Sequence, residues 1–190
     1  MYSIDILDKI VIGNYTNPTI FTIFVGMIYI LDKVQKKLVE AEIVLMDNNH
    51  VPLKKDGWNF NWRQIFNNKN GRTYVLKTLD SPKQVEGAIR LIIEYDMLIM
   101  DVLEIAPHNI GQEHKRYDFV AGCLIAFACR ESFKLEGNYK GFLSFISKSQ
   151  LIEWYAKMYG AELGIGQRMF ISWENGERLI DRYLNRIKTI

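Results

Sequence analysis

The chain has 190 residues, 48% of them hydrophobic and 24% charged, which is enough apolar matter for one substantial core and unlike the composition of a disordered chain. A net charge of +2 and the lack of a gathered Lys/Arg stripe argue against a nucleic-acid partner. The longest apolar run, Ile20 to Leu31, falls well short of the roughly twenty residues that cross a bilayer, and no leader pattern opens the chain, so the expectation is a cytoplasmic protein with no membrane partner.

In chain order, Ile4 to Ile12 reads as a short strand or lead-in closed by Gly13 and the Asn17-Pro18 pair. Beyond it Phe21, Phe24, Val25, Ile28, Leu31, Val34 and Leu38 recur every three or four positions. That spacing predicts a helix, with Lys33, Lys36 and Lys37 on its solvated face. The segment from Asp47 to Gly71 is polar and rich in turn residues. Inside it, Trp58, Phe60 and Trp62 alternate and would share one face of an extended segment, as a loop plug over the core or as an acceptor pocket.

Strands are predicted over Thr73 to Leu79, over Val85 to Glu94, where Gly87 allows a bulge or a close approach, and over Met97 to Ile105. The last is nearly all apolar, as a buried central strand should be. Ala106-Pro107-His108-Asn109-Ile110-Gly111 stops it, and a polar loop runs to Asp118. Phe119 to Phe133 then reads as an apolar helix, followed by a strand over Gly141 to Ser147. A helix from Gln150 to about Tyr159 follows, with Ser149 as its cap and Gly160 at its end. A strand over Gln167 to Trp173 and a helix over Glu174 to Ile187 close the chain.

Cys123 and Cys129 lie six apart in one helical run, too far along the axis to bridge, and are expected to be inert core thiols. His50, His108 and His114 show no metal-ligand spacing, and no metal is expected.

The order of hairpin, buried strand, polar loop, apolar helix, strand and helix resembles the core of the GNAT superfamily of N-acetyltransferases, over roughly Val85 to Ile171. The sharpest element is Arg116-Tyr117-Asp118-Phe119-Val120-Ala121-Gly122-Cys123-Leu124. Arg116, Ala121 and Leu124 fill the family pattern of Arg or Gln, two residues, Gly, one residue, Gly or Ala, and an apolar residue three later. Phe119 stands where the pattern has its first glycine, and is accommodated if its φ is negative. The combination Gly-Trp-x-Phe-x-Trp, Ala-Pro-His-Asn-Ile-Gly and the later Gly160-Ala161 is similar to a bacterial group of GNAT-like proteins.

The resemblance implies a single α+β domain with a central mixed sheet, in which residues 85–171 bind acetyl-CoA and residues 1–80 form a divergent N-terminal part. It implies transfer of an acetyl group from acetyl-CoA to a primary amine of a small molecule or a protein. The alternative is a catalytically silent CoA-binding or protein-interaction module. A homodimer is left open.

Cofactor contacts would come from Ile105, Arg116, Tyr117, Phe119, Val120, Ala121, Gly122 and Cys123. Unpaired N–H groups at the helix start would cradle the pyrophosphate, with Arg116 or Lys115 adding charge. The strand over Met97 to Ile105 is expected to part from the Gly141–Ser147 strand near Ile105, whose N–H would receive the thioester carbonyl. The proton acceptor would be Glu104, its pKa raised by burial, with Asp101 on the opposite face as the weaker choice and a water-relayed His108 as another option. The proton donor would be Tyr155, which lies five residues before Gly160 where the family spacing is four.

Overall fold

The structure, a computed structural model, describes residues 27–111 and 115–186. The expected lead-in, the first part of the expected first helix, His114 and the last residue of the closing helix, Ile187, lie outside them. The described part of that first helix is instead a hairpin of β1 (Ile28–Asp32) and β2 (Lys37–Leu45). Ile28 and Ile30, then Val39, Ala41 and Ile43, alternate inward, a period of two that the longer helical stripe masked. Buried Asp32 sets the turn: its Oδ1 accepts from Val34 N at 2.9 Å and Gln35 N at 2.8 Å, an Asx-type turn that Lys36 completes with a φ of 51°. Lys33 and Lys36 therefore lie in a turn and Lys37 opens β2, instead of lining a helix face.

The next strands appear close to their expected places: β3 (Arg72–Thr78), β4 (Gly87–Glu94) and β5 (Met97–Ile105). β6 (Tyr117–Asp118), expected as loop, adds to the edge of β1, and β7 (Leu143–Ile146), β8 (Glu162–Leu163) and β9 (Arg168–Ile171) follow. Together they make a mixed sheet in the order β6-β1-β2-β3-β4-β5-β7-β9-β8. Every pairing is antiparallel except β5 with β7. Of the two roles offered for Gly87, the close approach is seen: an added Cβ would fall 2.7 Å from Val120 and 2.8 Å from Leu124.

Four helices are described: α1 (Trp62–Asn67), α2 (Val120–Ser132), α3 (Ile152–Tyr159) and α4 (Trp173–Tyr183). α2 is buried nearly all round because it lies between the sheet and α4, the condition under which a soluble helix can be apolar on every side. Ser149 does not cap α3. It belongs to a 3-10 turn (Ser149–Leu151), and its Oγ accepts from Gln167 Nε2 at 2.6 Å. Gly160 does end α3, with a φ of 65°.

Each sheet face carries its own core. Tyr74, Leu98, Met100 and Leu124 belong to the larger, while Trp58, Trp62, Val75, Ala88 and Ala106 form a smaller one on the opposite face. No helix among the described residues is long and apolar enough to cross a membrane.

Candidate active site

Two features of β5 shape the site. The first is a gap. β5 and β7 pair only at Leu98↔Leu143 and Ile99↔Ser144, so they part soon after entering the sheet, earlier than the expected point near Ile105. On the other side β5 stays bonded, with Ala106 N donating to Glu86 O at 2.9 Å. Alternation along the strand then turns the N–H groups of Leu103 and Ile105 away from β4, toward the gap.

The second feature is a bulge. Arg90 pairs with Val102 but Leu91 pairs with Met100, which leaves Asp101 as an extra residue. A bulge shifts the alternation by one. Leu98 and Met100 before it, and Leu103 and Ile105 after it, all meet the larger core, whereas Val102 meets the smaller one. Asp101 thereby comes to line a cavity beside the gap, although sequence alternation alone assigns it to the opposite strand face.

Two cavities flank the gap. The helix-end cavity, of about 290 Å³, is lined by Ile105, Lys115, Phe119, Val120, Ala121 and Gly122 from one side and by Trp154, Tyr159, Arg182 and Tyr183 from the other. The strand-gap cavity, of about 210 Å³, contains Met100, Asp101, Leu103, Phe145, Tyr155 and Phe60. A larger cavity, of about 680 Å³, lies elsewhere, beside Trp58, Pro107 and His108. Size is a poor guide here, because that cavity lacks both the helix start and the strand gap.

The helix-end cavity surrounds the N-terminus of α2. Its first intrahelical bond is Cys123 N to Phe119 O, 2.8 Å, so the N–H groups of Val120, Ala121 and Gly122 precede the ladder and present positive charge outward. Phe119 departs from its expected negative φ: it sits at +74°, the left-handed conformation that suits the glycine of the family pattern. For an L-residue this costs roughly 1–2 kcal/mol. Its ring lies under the Arg186 guanidinium, 3.8 Å from Cζ to the ring centre, and edge-on to Tyr183 at 6.2 Å. Tyr183 also crowds Gly122, where an added Cβ would stand 2.3 Å from the ring.

Of the residues expected to hold the cofactor, Ile105, Phe119, Val120, Ala121 and Gly122 come together in this cavity. Arg116 and Tyr117 do not line it. Arg116 bonds buried Asp32, Nη2 to Oδ2 at 2.8 Å, and Tyr117 belongs to the edge strand β6. Cys123 is buried one turn in, with Sγ 3.6 Å from Tyr183 O, and burial pushes both Cys123 and Cys129 up to about 12. Lys115 lines the cavity but bonds Asp118 at 2.5 Å. Burial raises the Asp118 carboxyl, and the Lys115 hydrogen bond and charge outweigh it and hold the group below its ordinary value. Arg182, Tyr183 and Tyr159 also line the cavity and were not among the expected residues.

In the strand-gap cavity Tyr155 stacks 4.8 Å from Phe145, and burial raises its hydroxyl pKa. Asp101 is held by Arg90, Nη1 to Oδ2 at 3.2 Å. Glu104 lines neither flanking cavity. Its carboxylate faces the smaller core and accepts from Asn59 N, Asn59 Nδ2, Phe60 N and Trp62 Nε1 at 2.6, 2.9, 3.3 and 2.7 Å. His108 Nε2 lies 2.6 Å from the buried Glu86 carboxylate, at the cavity beside Trp58. Trp58, Phe60 and Trp62 do not share a face: Trp58 and Trp62 are buried while Phe60 is largely exposed, because Trp62 already begins α1. Among the described residues no group of three or more side chains could hold a metal ion.

No family model matches the sequence, and no curated protein does. Solved structures do match. The AtaTR complex bound with acetyl-CoA is similar at 16% identity over 74% of this chain and 98% of that one, with a TM-score of 0.52. The KacTA–DNA complex is similar at 14% identity over 75% and 99%, with a TM-score of 0.54. AtaT complexed with acetyl-methionyl-tRNAfMet is similar at 16% identity over 74% and 99%, with a TM-score of 0.51. Together with the mixed sheet of nine strands and the four flanking helices among the described residues, these likenesses show that the chain has a GNAT-like fold.

Proposed function

We propose that the chain is an acetyl-CoA-dependent N-acetyltransferase acting on a primary amine of a small molecule or a protein. The observation that carries this reading is the gap between β5 and β7, which runs from the open start of α2 to a cavity holding Tyr155 and Asp101. Three unpaired N–H groups, with Lys115 and Arg182 beside them, suit a pyrophosphate. The inward N–H groups of Leu103 and Ile105 suit an extended amide-bearing arm, which offers the acceptors that an open strand edge lacks. AtaT and AtaR are described as toxin and antitoxin with acetyl-CoA bound, and this lends the donor assignment support by analogy.

When bound, acetyl-CoA supplies an activated acetyl thioester. The chain's own residues orient and protonate. The Ile105 N–H, turned toward the gap, would donate a hydrogen bond to a carbonyl oxygen held there and stabilise negative charge on it. Tyr155, kept protonated by burial, holds the proton that a departing thiolate requires. Asp101 takes over the place first given to Glu104: Arg90 occupies one of its oxygens, and the carboxylate orients an incoming ammonium and receives its proton directly or through water. The test is mass-spectrometric detection of acetylated product across small primary amines and lysine peptides. Transfer that needs acetyl-CoA and fails in Asp101→Asn supports the reading, and no product from any amine counts against it.

One observation favours the silent module. Phe119 and Tyr183 stand at the α2 start where the family pattern has small residues. A cofactor-free module would keep its melting temperature unchanged with acetyl-CoA, whereas an enzyme or a silent CoA binder would be stabilised, because a ligand bound only by the folded chain raises it.

A further inference from the structure

Glu104 is a buried carboxylate that the reaction scheme above leaves without a proton to move. Its surroundings are unusual for a spare group. Four N–H donors converge on two oxygens, all from the short stretch Asn59–Trp62, more than forty residues away in sequence. A carboxylate has about four acceptor sites, so this one is saturated. Charge-assisted bonds of this kind are about twice as strong as neutral ones.

The stretch so held carries one aromatic side chain that is not core. Trp58 and Trp62 sink into the smaller core, and Phe60 turns out between them, edge-on to Trp62 at 6.4 Å, to line the strand-gap cavity with Tyr155. Three consecutive residues of β5 thus divide the work. Leu103 lines the strand-gap cavity, Glu104 grips the aromatic loop behind it, and Ile105 lines the helix-end cavity. The remaining walls of the strand-gap cavity include Met100, Leu103, Phe145 and Leu151, with Asp101 as a carboxylate.

We propose that Glu104 is a positioning residue that latches the Asn59–Trp62 loop, so that Phe60 forms the acceptor wall and selects primary amines carried on an apolar or aromatic stem. The selection rests on the acetyltransferase reading, whereas the latch stands without it. In Glu104→Gln, one side-chain oxygen remains for Asn59, and the new NH2 group meets the N–H donors of Phe60 and Trp62. Amide exchange at Asn59, Phe60 and Asn61 should speed at least tenfold, and tryptophan emission should shift to the red.

With a panel of amines of graded stem length, KM for apolar-stem amines should rise about tenfold while kcat and the rising limb of the pH–rate profile stay in place. Phe60→Ala should erase the preference for apolar stems without altering exchange in the loop. If Glu104→Gln does not fold, Trp62→Phe removes a single donor and carries the same test at smaller amplitude. Unchanged exchange at residues 59–61 would overturn the latch, whatever the activity. Loss of kcat and of the pH limb at constant KM would make Glu104 the proton acceptor instead. A wild-type chain that acetylates no amine would remove the selection by Phe60 along with the acetyltransferase reading, with exchange still deciding the latch.

Discussion

The loop that leads into α2 and the aromatic loop that leads into α1 solve similar problems by different means. In the first, residues 115–123, the turn into the helix is tied by its neighbours in sequence, although Arg116 is held from β1 by Asp32. Asp118 bonds Lys115 and the Phe119 amide, and Phe119 O receives the first helical bond. The second, residues 58–62, is organised from β5, by a carboxylate more than forty residues away. Local organisation leaves a motif that can be read along the chain. Distant organisation leaves only its parts, a Gly-Trp-x-Phe-x-Trp pattern and a glutamate with nothing in sequence to join them. The contrast also separates roles, since the first loop offers backbone groups to a ligand and the second offers a side-chain wall.

The largest expected effect lies where the two loops face the same gap. Tyr155→Phe should lower turnover on the order of 10²-fold while leaving acetyl-CoA affinity unchanged. Parallel titrations of rate and binding check this, and a loss of affinity without loss of turnover would assign Tyr155 to packing. Gly122→Ala follows. Its new methyl would stand 2.3 Å from the Tyr183 ring, and overpacking of this kind costs about 1–3 kcal/mol in a denaturant titration. A neutral result would show that α4 moves freely off α2.

A smaller effect concerns the strained cap. Phe119→Gly and Phe119→Ala both discard the ring, but only glycine adopts a φ of +74° without strain. The glycine variant should therefore be the more stable of the two by about 1 kcal/mol. Equal stabilities would mean that the turn rearranges once the ring is gone.

The smallest effect at neutral pH comes from the two thiols. Burial raises both to about 12 from an ordinary 9.0. Below about pH 9 they are protonated in folded and unfolded chains alike and contribute no pH dependence. Above it the unfolded chain loses their protons first, so stability should fall as pH rises from 9 toward about 12. Below pH 9 neither thiol should react with iodoacetamide unless the chain unfolds.

The sequence was legible where period and local motif agreed. β3, β4, β5, α2, β7 and α3 appear within a few residues of their expected places, because each combines a clear apolar pattern with a nearby Gly, Pro or Asp. It misled where two periods overlapped. Ile28 and Leu31 suit a helix, Ile28 and Ile30 suit a strand, and pairing with β2 decided the matter. The site was half legible. The α2 start carries a motif, so the sequence could group Phe119, Val120, Ala121 and Gly122, which line one cavity. A bulge leaves no mark in one sequence, so the placing of Asp101 beside the strand-gap cavity could not be read, and neither could the four distant donors that hold Glu104. Arg116 was expected at a phosphate, yet the partner that holds it, Asp32, lies on another strand.

The most direct test of the account is hydrogen exchange at the gap itself. Saturating acetyl-CoA should slow exchange at the amides of Leu103, Ile105, Val120 and Ala121, leave Ala106 unchanged because it is already bonded to Glu86 O, and protect the two strand amides more than adenosine diphosphate does. Equal protection by both ligands, or none at Leu103 and Ile105, would contradict a cofactor arm lying between β5 and β7.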